Sequence, residues 1–318
     1  MKISRAILGC LVVLTALAPQ LAVVAEDIPH QLIAKAQALV LNQPFSRTRS
    51  FSEGLAAVQL NGKWGYIDKT GKLVIPIQFD DALAFSEGLA EVELNGKWGY
   101  IDKTGKLAIA AEFVNALPFS EGLAAVRVGN LWGYIDKTGK QVIPAQFEDA
   151  FEFAQGLAGI RVDRKTGFIN PQGKLVIPPQ FDGASPFSEG LARVRTGNNW
   201  GFINLTGEKV IQLEADLVAR FSEGLAAIFI DDKAGYIDKT GKVVIKPQFD
   251  DVLPFQEGLA AVKIGEQWGY IDKTGKVVIP VKFDRAISFS DGLAFAQIAD
   301  KRGYINQTGN FAISVPPG

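Results

Sequence analysis

Cysteine, histidine and methionine each occur once in 318 residues, and the formal charge balances to −1. Each scarcity removes a class of function. Cys10 lies inside an amino-terminal apolar run, so a chain cleaved beyond it has no disulfide, no thiolate metal site and no cysteine nucleophile. With His30 as the only histidine, Ser-His-Asp triads, Cys-His dyads and histidine-rich zinc sites are excluded within this chain. A near-zero net charge gives no overall field to gather nucleic acid or anionic membrane. No glycine-rich phosphate loop occurs either, because most of the 33 glycines fall singly at turn positions of the repeat. No cofactor and no metal are expected.

The first residues differ from everything that follows. Lys2 and Arg5 precede the run AILGCLVVLTALA (Ala6 to Ala18), and Val23 and Ala25 supply small residues before a cut at Glu26. That is the layout of a signal peptide over 1–25, too short and too poorly flanked for a committed span. A lipoprotein signal ending at Cys10 is the alternative, against which the apolar run continues past that residue. The expectation is a periplasmic or secreted protein with no transmembrane span after cleavage. Within 26–44, Ile28, Leu32, Ala36, Leu39 and Val40 form a helical stripe with Asp27 as its cap, which predicts a short helix covering the first repeat's edge.

What the chain has in abundance is repetition. Phe-x-x-Gly-Leu-Ala recurs at Phe51, Phe85, Phe119, Phe153, Phe187, Phe221, Phe255 and Phe289, each 34 residues after the last. Eight units therefore fill 45–316 without insertion or deletion. A fixed period of this length signals a repeat architecture whose units bury faces against one another. Inside the unit, GLAAV, GYID and LVIP are short β-type runs separated by turns, not paired helices. Leu55–Leu60 and Trp64–Asp68 read as strands joined by Asn61-Gly62, a pair suited to the positive φ of a tight hairpin. Asp-Lys-Thr-Gly supplies the next turn, with Asp68 accepting from the backbone two residues on, and Leu73–Ile75 gives a third strand. Asn170, Asn204 and Asn306 replace that Asp, which keeps the acceptor, loses the charge and favours turn-building over metal binding.

The phrase KWGYIDKTGK followed by FSEGLA resembles the WG-repeat family of bacterial proteins, also called KWG repeats. The resemblance covers Phe45 to Pro316. Trp64, Trp98, Trp132, Trp200 and Trp268 carry the name-giving ring, whereas Thr166, Ala234 and Arg302 depart from it. The resemblance implies a β-repeat surface, often exported, that binds partners, and it implies no catalytic residues.

Three sets of residues invite a functional reading. The recurrent Trp could be slots for sugars or choline-like cations, but their regularity favours structural packing. Glu53 and its equivalents could suggest calcium, yet one carboxylate per unit cannot fill a sphere of about six or more oxygens, so a bond to loop backbone is the better reading. The strand position of Gln59 varies, reading Glu93, Arg127, Arg161, Arg195, Phe229, Lys263 and Gln297 in later units. With Ala56, Val58 and Leu60 taken as the inner face, Arg127, Arg161 and Arg195, joined by Arg193 and Arg164, form a candidate basic ridge for an anionic partner.

Three clear strands per unit, and a first and last unit in the same phase, favour an all-β, open, twisted array over the alternative, an eight-bladed propeller. Carboxylates spread evenly among the units give no unit the unique polar cleft that a glycosidase needs. The function expected is non-enzymatic: a binding or scaffold protein of the bacterial envelope, with a cell-wall or polysaccharide-binding module as the alternative. Its partner is an unidentified protein or an anionic or saccharide component of the envelope, not nucleic acid.

Overall fold

A computed structural model describes residues 45–315; the expected signal peptide and amino-terminal helix lie outside the described residues. Each 34-residue unit becomes one four-stranded antiparallel sheet. In the first unit β1 (Arg47–Thr48), β2 (Leu55–Leu60), β3 (Lys63–Asp68) and β4 (Leu73–Phe79) lie side by side in that order. The scheme repeats up to the final strand, β32 (Phe311–Val315).

Local chemistry sets these strands. Asn61 and Gly62 take φ of 51° and 79°, which closes the β2–β3 hairpin. Asp68 Oδ1 accepts from the Thr70 and Lys72 N–H groups at 2.9 and 3.0 Å, and Gly71 completes the turn at φ 85°. Asn170 accepts in the same way from Gln172 and Lys174. Between Trp64 and Tyr66 the pairing with β4 slips, because Trp64 faces Phe79 and Tyr66 faces Ile75. The bulged β4 backbone presses on Gly65, where a Cβ would stand 2.6 Å from the Ile75 carbonyl oxygen. The glycine after Trp is thus a close-approach residue.

Both faces of each sheet are buried. Ala56, Ala57 and Val58 are each 0–1% exposed, so the second strand has no outward side at its centre. This corrects the inner-and-outer reading of that strand. One face of the first sheet (Ala57, Trp64, Tyr66, Ile75, Phe79) packs on the opposite face of the second (Ala82, Phe85, Ala90, Val92, Ile101). Alanine recurs there because sheets stacked face to face leave room for small side chains between larger rings.

The same packing recurs eight times, once at each seam. Tyr66 meets Phe85 edge to face at 5.0 Å, and the series ends with Tyr304 meeting Phe51 of unit 1 at 4.9 Å. Ser52 Oγ donates to the Phe85 carbonyl at 2.7 Å, and Ser290 Oγ donates to the Phe51 carbonyl at 2.7 Å. Tyr66 donates to the Leu83 carbonyl, and Tyr304 to the Arg49 carbonyl. Unit 8 therefore holds unit 1 as every unit holds its successor. The molecule is a closed eight-bladed β-propeller.

The open array is thus not what forms, and the propeller alternative is. The fourth strand that the repeat pattern did not reveal is only two residues long, too short to display alternation. No strand is shared between first and last blades, as the matching phase implied; closure comes instead from face-to-face packing of blade 8 on blade 1.

Candidate functional site

One end of the ring is built from the Ser-Glu-Gly loops. These loops touch from blade to blade and form a collar. Glu53 and its seven equivalents all take φ between 52° and 57°. Each carboxylate or amide reaches across a seam. Glu53 accepts from the Gly88 N–H at 3.1 Å, Glu87 from Gly122 at 3.1 Å, and Asp291 from Gly54 at 2.8 Å across the closing seam. A lysine of the next blade adds an ion pair: Lys103 to Glu53 at 3.1 Å, Lys137 to Glu87 at 3.1 Å and Lys239 to Glu189 at 2.8 Å. Where Gln155 replaces the acid, Leu205 stands at the lysine's position, so the two changes match. The backbone-bond reading of the Glu series holds, with the partner on the neighbouring blade. Lys137 and the Gly122 N–H hold Glu87 below the usual carboxylate range against the opposing effect of partial burial. These polar groups are consumed by the ring itself.

The opposite end carries the hairpin turns and the blade-to-blade crossovers. Here Asp80 accepts from the Asn95 N–H at 2.8 Å and pairs with Lys63 of the preceding blade. Trp64 and Trp132 are buried, and Trp98, Trp200 and Trp268 are half-buried. Arg49 stacks over Trp64 at 4.7 Å and Arg193 over Trp200 at 4.8 Å, so these ring faces are already covered. Arg127, Arg161 and Arg195 occupy one equivalent position on three consecutive blades, next to the hairpin turns. Arg127 and Arg161 are half-buried and Arg195 is exposed. They form an arc around this end; no hydrogen bond among the described residues joins one to another. Arg193 is not part of that arc. It turns into the blade interface, where its guanidinium donates to the Val218 carbonyl. Arg164 lies in the hairpin turn, its N–H bonded to Glu148.

A residue that pattern reading passed over is Glu91. It is fully buried, and neither carboxylate oxygen has a hydrogen-bond partner. Burial pushes its pKa up to about 8, with its own backbone N–H and then Arg49 acting in the other direction. The signal was present in the repeat, because the other units carry Ala57, Ala125, Gly159, Arg193, Ala227, Ala261 and Phe295 at this position. Among the described residues no group of three or more Asp, Glu, His or Cys side chains is placed to hold a metal ion.

The family comparison agrees with this geometry. A model of the WG containing repeat matches 45–64, 64–98, 98–132, 132–165, 167–200, 200–233, 235–268 and 268–301, eight consecutive matches that run from one Trp-Gly position to the next after the first. The chain belongs to the WG-repeat family. No curated relative matches its sequence. Among solved structures, this WG-repeat propeller is similar to a eukaryotic initiation factor, with a TM-score of 0.56 at 12% identity over 83% of this chain and 85% of the other. It is also similar to the dihydro-heme d1 dehydrogenase NirN in complex with DHE, with a TM-score of 0.57 at 13% identity over 88% and 76% of the two chains. At such identities the likeness is one of fold alone. NirN is an enzyme, so the propeller fold by itself does not exclude catalysis. Among the described residues no helix is long and apolar enough to cross a membrane.

Proposed function

We propose that this propeller is a non-enzymatic binding or scaffold protein, exported to the bacterial envelope, that engages an acidic protein partner through its hairpin end. The observation that carries the reading is a division of labour among polar residues. Those that recur, the collar Glu and Lys and the turn Asp, are bonded to backbone or to the next blade. Polar residues that vary from blade to blade include those beside the hairpins, where Arg127, Arg161 and Arg195 follow one another around the ring. A constant frame with a variable rim suits recognition, and a contiguous positive arc attracts an anionic surface better than isolated charges do. The saccharide reading is the weaker one, because Trp64 and Trp132 are buried and arginine covers a face of Trp200, which leaves Trp98 and Trp268 half-buried on blades 2 and 7, not side by side.

Two measurements test this. Changing Arg127, Arg161 and Arg195 together to Glu should leave the fold intact, since Glu93 already occupies the same position in blade 2. Capture of partner from an envelope extract should then be lost, and wild-type capture should fall steeply with salt, because exposed charges are screened within about 8 Å at physiological ionic strength. Full, salt-insensitive capture by the variant would remove the arc from the interface. Export is supported by the Lys2/Arg5, apolar run and Ala25 layout. Amino-terminal sequencing of the exported product should begin near Glu26; a product retaining Met1 or lipidated at Cys10 would refute the cleavage.

A further inference from the structure

The eight seams are built alike but are not chemically alike. The seam where blade 8 meets blade 1 contains a cleft of about 440 Å³ with Arg47, Arg49, Arg285 and Arg302 in its walls. No acid is among the described residues that line it. Position by position, the repeat shows how this came about. The residue before Arg47 is Ser46, where Asp80, Glu148, Asp182, Asp216, Asp250 and Asp284 stand in six other blades. In blades 2, 5 and 7 that acid neutralises a lysine of the preceding blade, pairing Lys63 with Asp80, Lys165 with Asp182 and Lys233 with Asp250. Their counterpart Lys301 has Ser46 at the equivalent position and lies over the Phe311 ring at 4.5 Å instead. Arg47 and Arg285 hold a position that is Asp81, Asp149 and Asp251 elsewhere. This seam has lost acids and gained bases.

Space opens at the same place. Arg302 replaces the Trp found at five equivalent positions, and it donates to the Phe45 carbonyl at 2.8 Å, bracing one wall. Arg49 is tied to Asp81 at 2.8 Å and lies over Trp64, so it too is held in place. Arg47 and Arg285 are exposed and have no acidic partner among the described residues. Phe45, Trp64, Ile287 and Phe295 supply apolar wall between the cations. Guanidinium forks match the planar oxygens of carboxylate and phosphate, Arg47 and Arg285 have theirs uncommitted to any acid among the described residues, and a cleft of this volume suits a small organic molecule.

We infer that the cleft between blades 8 and 1 binds a small organic oxyanion, a carboxylate or phosphate group carried on a compact ring or apolar body, with Arg47 and Arg285 as the groups that engage it. This site lies beyond the protein-binding role proposed above and does not depend on it. The sequence pattern concealed it because the losses of acid and gains of base lie in the first and last units, which only the closed ring brings together.

The test is calorimetric titration of the whole chain, in low-chloride buffer, with benzoate, phenyl phosphate and the neutral benzyl alcohol. At least one anion should bind at one site per chain, more weakly as salt rises, while benzyl alcohol does not bind. The tighter of the two anions identifies the oxyanion as carboxylate or phosphate. Arg47→Asp with Arg285→Asp installs the residue that blades 2, 4 and 7 carry there, so the melting temperature without ligand should not change. Anion affinity should fall roughly tenfold or more, as expected when charge-assisted hydrogen bonds are lost. Should that pair perturb the fold, Arg285→Gln alone should still weaken binding. The inference is overturned if neither anion binds, if benzyl alcohol binds as well as the anions do, or if the Asp variant binds like the wild type.

Discussion

Replacing Glu91 with Ala should make the protein more stable at pH 8 to 9 by about 2–5 kcal/mol and nearly unchanged in relative stability near pH 4.5. Glu91 is fully buried and unpartnered, and burial raises its folded pKa to about 8 from an ordinary value of 4.5. The sign follows from proton binding. Between about pH 4.5 and 8 the unfolded chain releases this proton while the folded chain keeps it, so wild-type stability declines as pH rises through that window. Above the folded value both states are ionised, and the loss is complete. Arg49 is the cation that acts on this carboxyl, and the phenols of Tyr66 and Tyr100, which feel its charge, are pushed above their usual range by burial. Ala is the residue of four other blades at this position, so the ring has a ready packing for it. Turn carboxylates such as Asp102 are held low by the Thr104 hydroxyl and behave oppositely, contributing stability that is lost as pH falls. They titrate alike in both proteins, so the difference between the two curves isolates Glu91. Urea unfolding of both from pH 4 to 9 measures it; parallel curves would show that Glu91 does not titrate in this window.

Phe119→Ala should cost about 3–5 kcal/mol, and Trp98→Ala only about 1–2 kcal/mol. Phe119 is 1% exposed and packs its ring 4.8 Å from Tyr100 of the preceding blade, while its carbonyl accepts the Ser86 hydroxyl. All eight blades have phenylalanine there, each 0–3% exposed. Trp98 is half-buried at the hairpin end, and blade 6 manages with Ala234. The tryptophan names the repeat, but the tyrosine–phenylalanine contact closes the seam. Denaturant midpoints of the two variants would decide this, and a larger loss from Trp98→Ala would reverse the ranking.

Much of the blade could be read from the chain. Asn61-Gly62 and Asp68 to Gly71 specify their turns by their own conformational preferences, and the strands between alternate over enough residues to show it. Closure could not be read that way, because it depends on the rotation accumulated from blade to blade, which no single residue encodes. A trace of it was nonetheless present. Phe51 opens the series without a preceding tyrosine, and Tyr304 ends it without a following phenylalanine, so each end carries the half of a contact that the other lacks. The equal phase of first and last units is what lets those halves meet. Burial on both sides of the second strand was hidden for a related reason. Ala56, Ala57 and Val58 look alike in sequence whether one sheet or two lie against them, and only the ring supplies the second. Glu91 and the arginine-lined seam became visible once each position was compared around the ring.

A closed ring has no terminal unit to cap, whereas an open array leaves two. Amide hydrogen exchange at Gly54 distinguishes them directly, because its N–H is bonded only across the closing seam, to Asp291, as Gly122 is to Glu87 and Gly258 to Glu223 within the series. A propeller predicts that Gly54 is protected to the same degree as Gly122 and Gly258. Exchange at Gly54 at the rate of an unbonded loop, with Gly122 and Gly258 still protected, would mean that blades 8 and 1 do not meet.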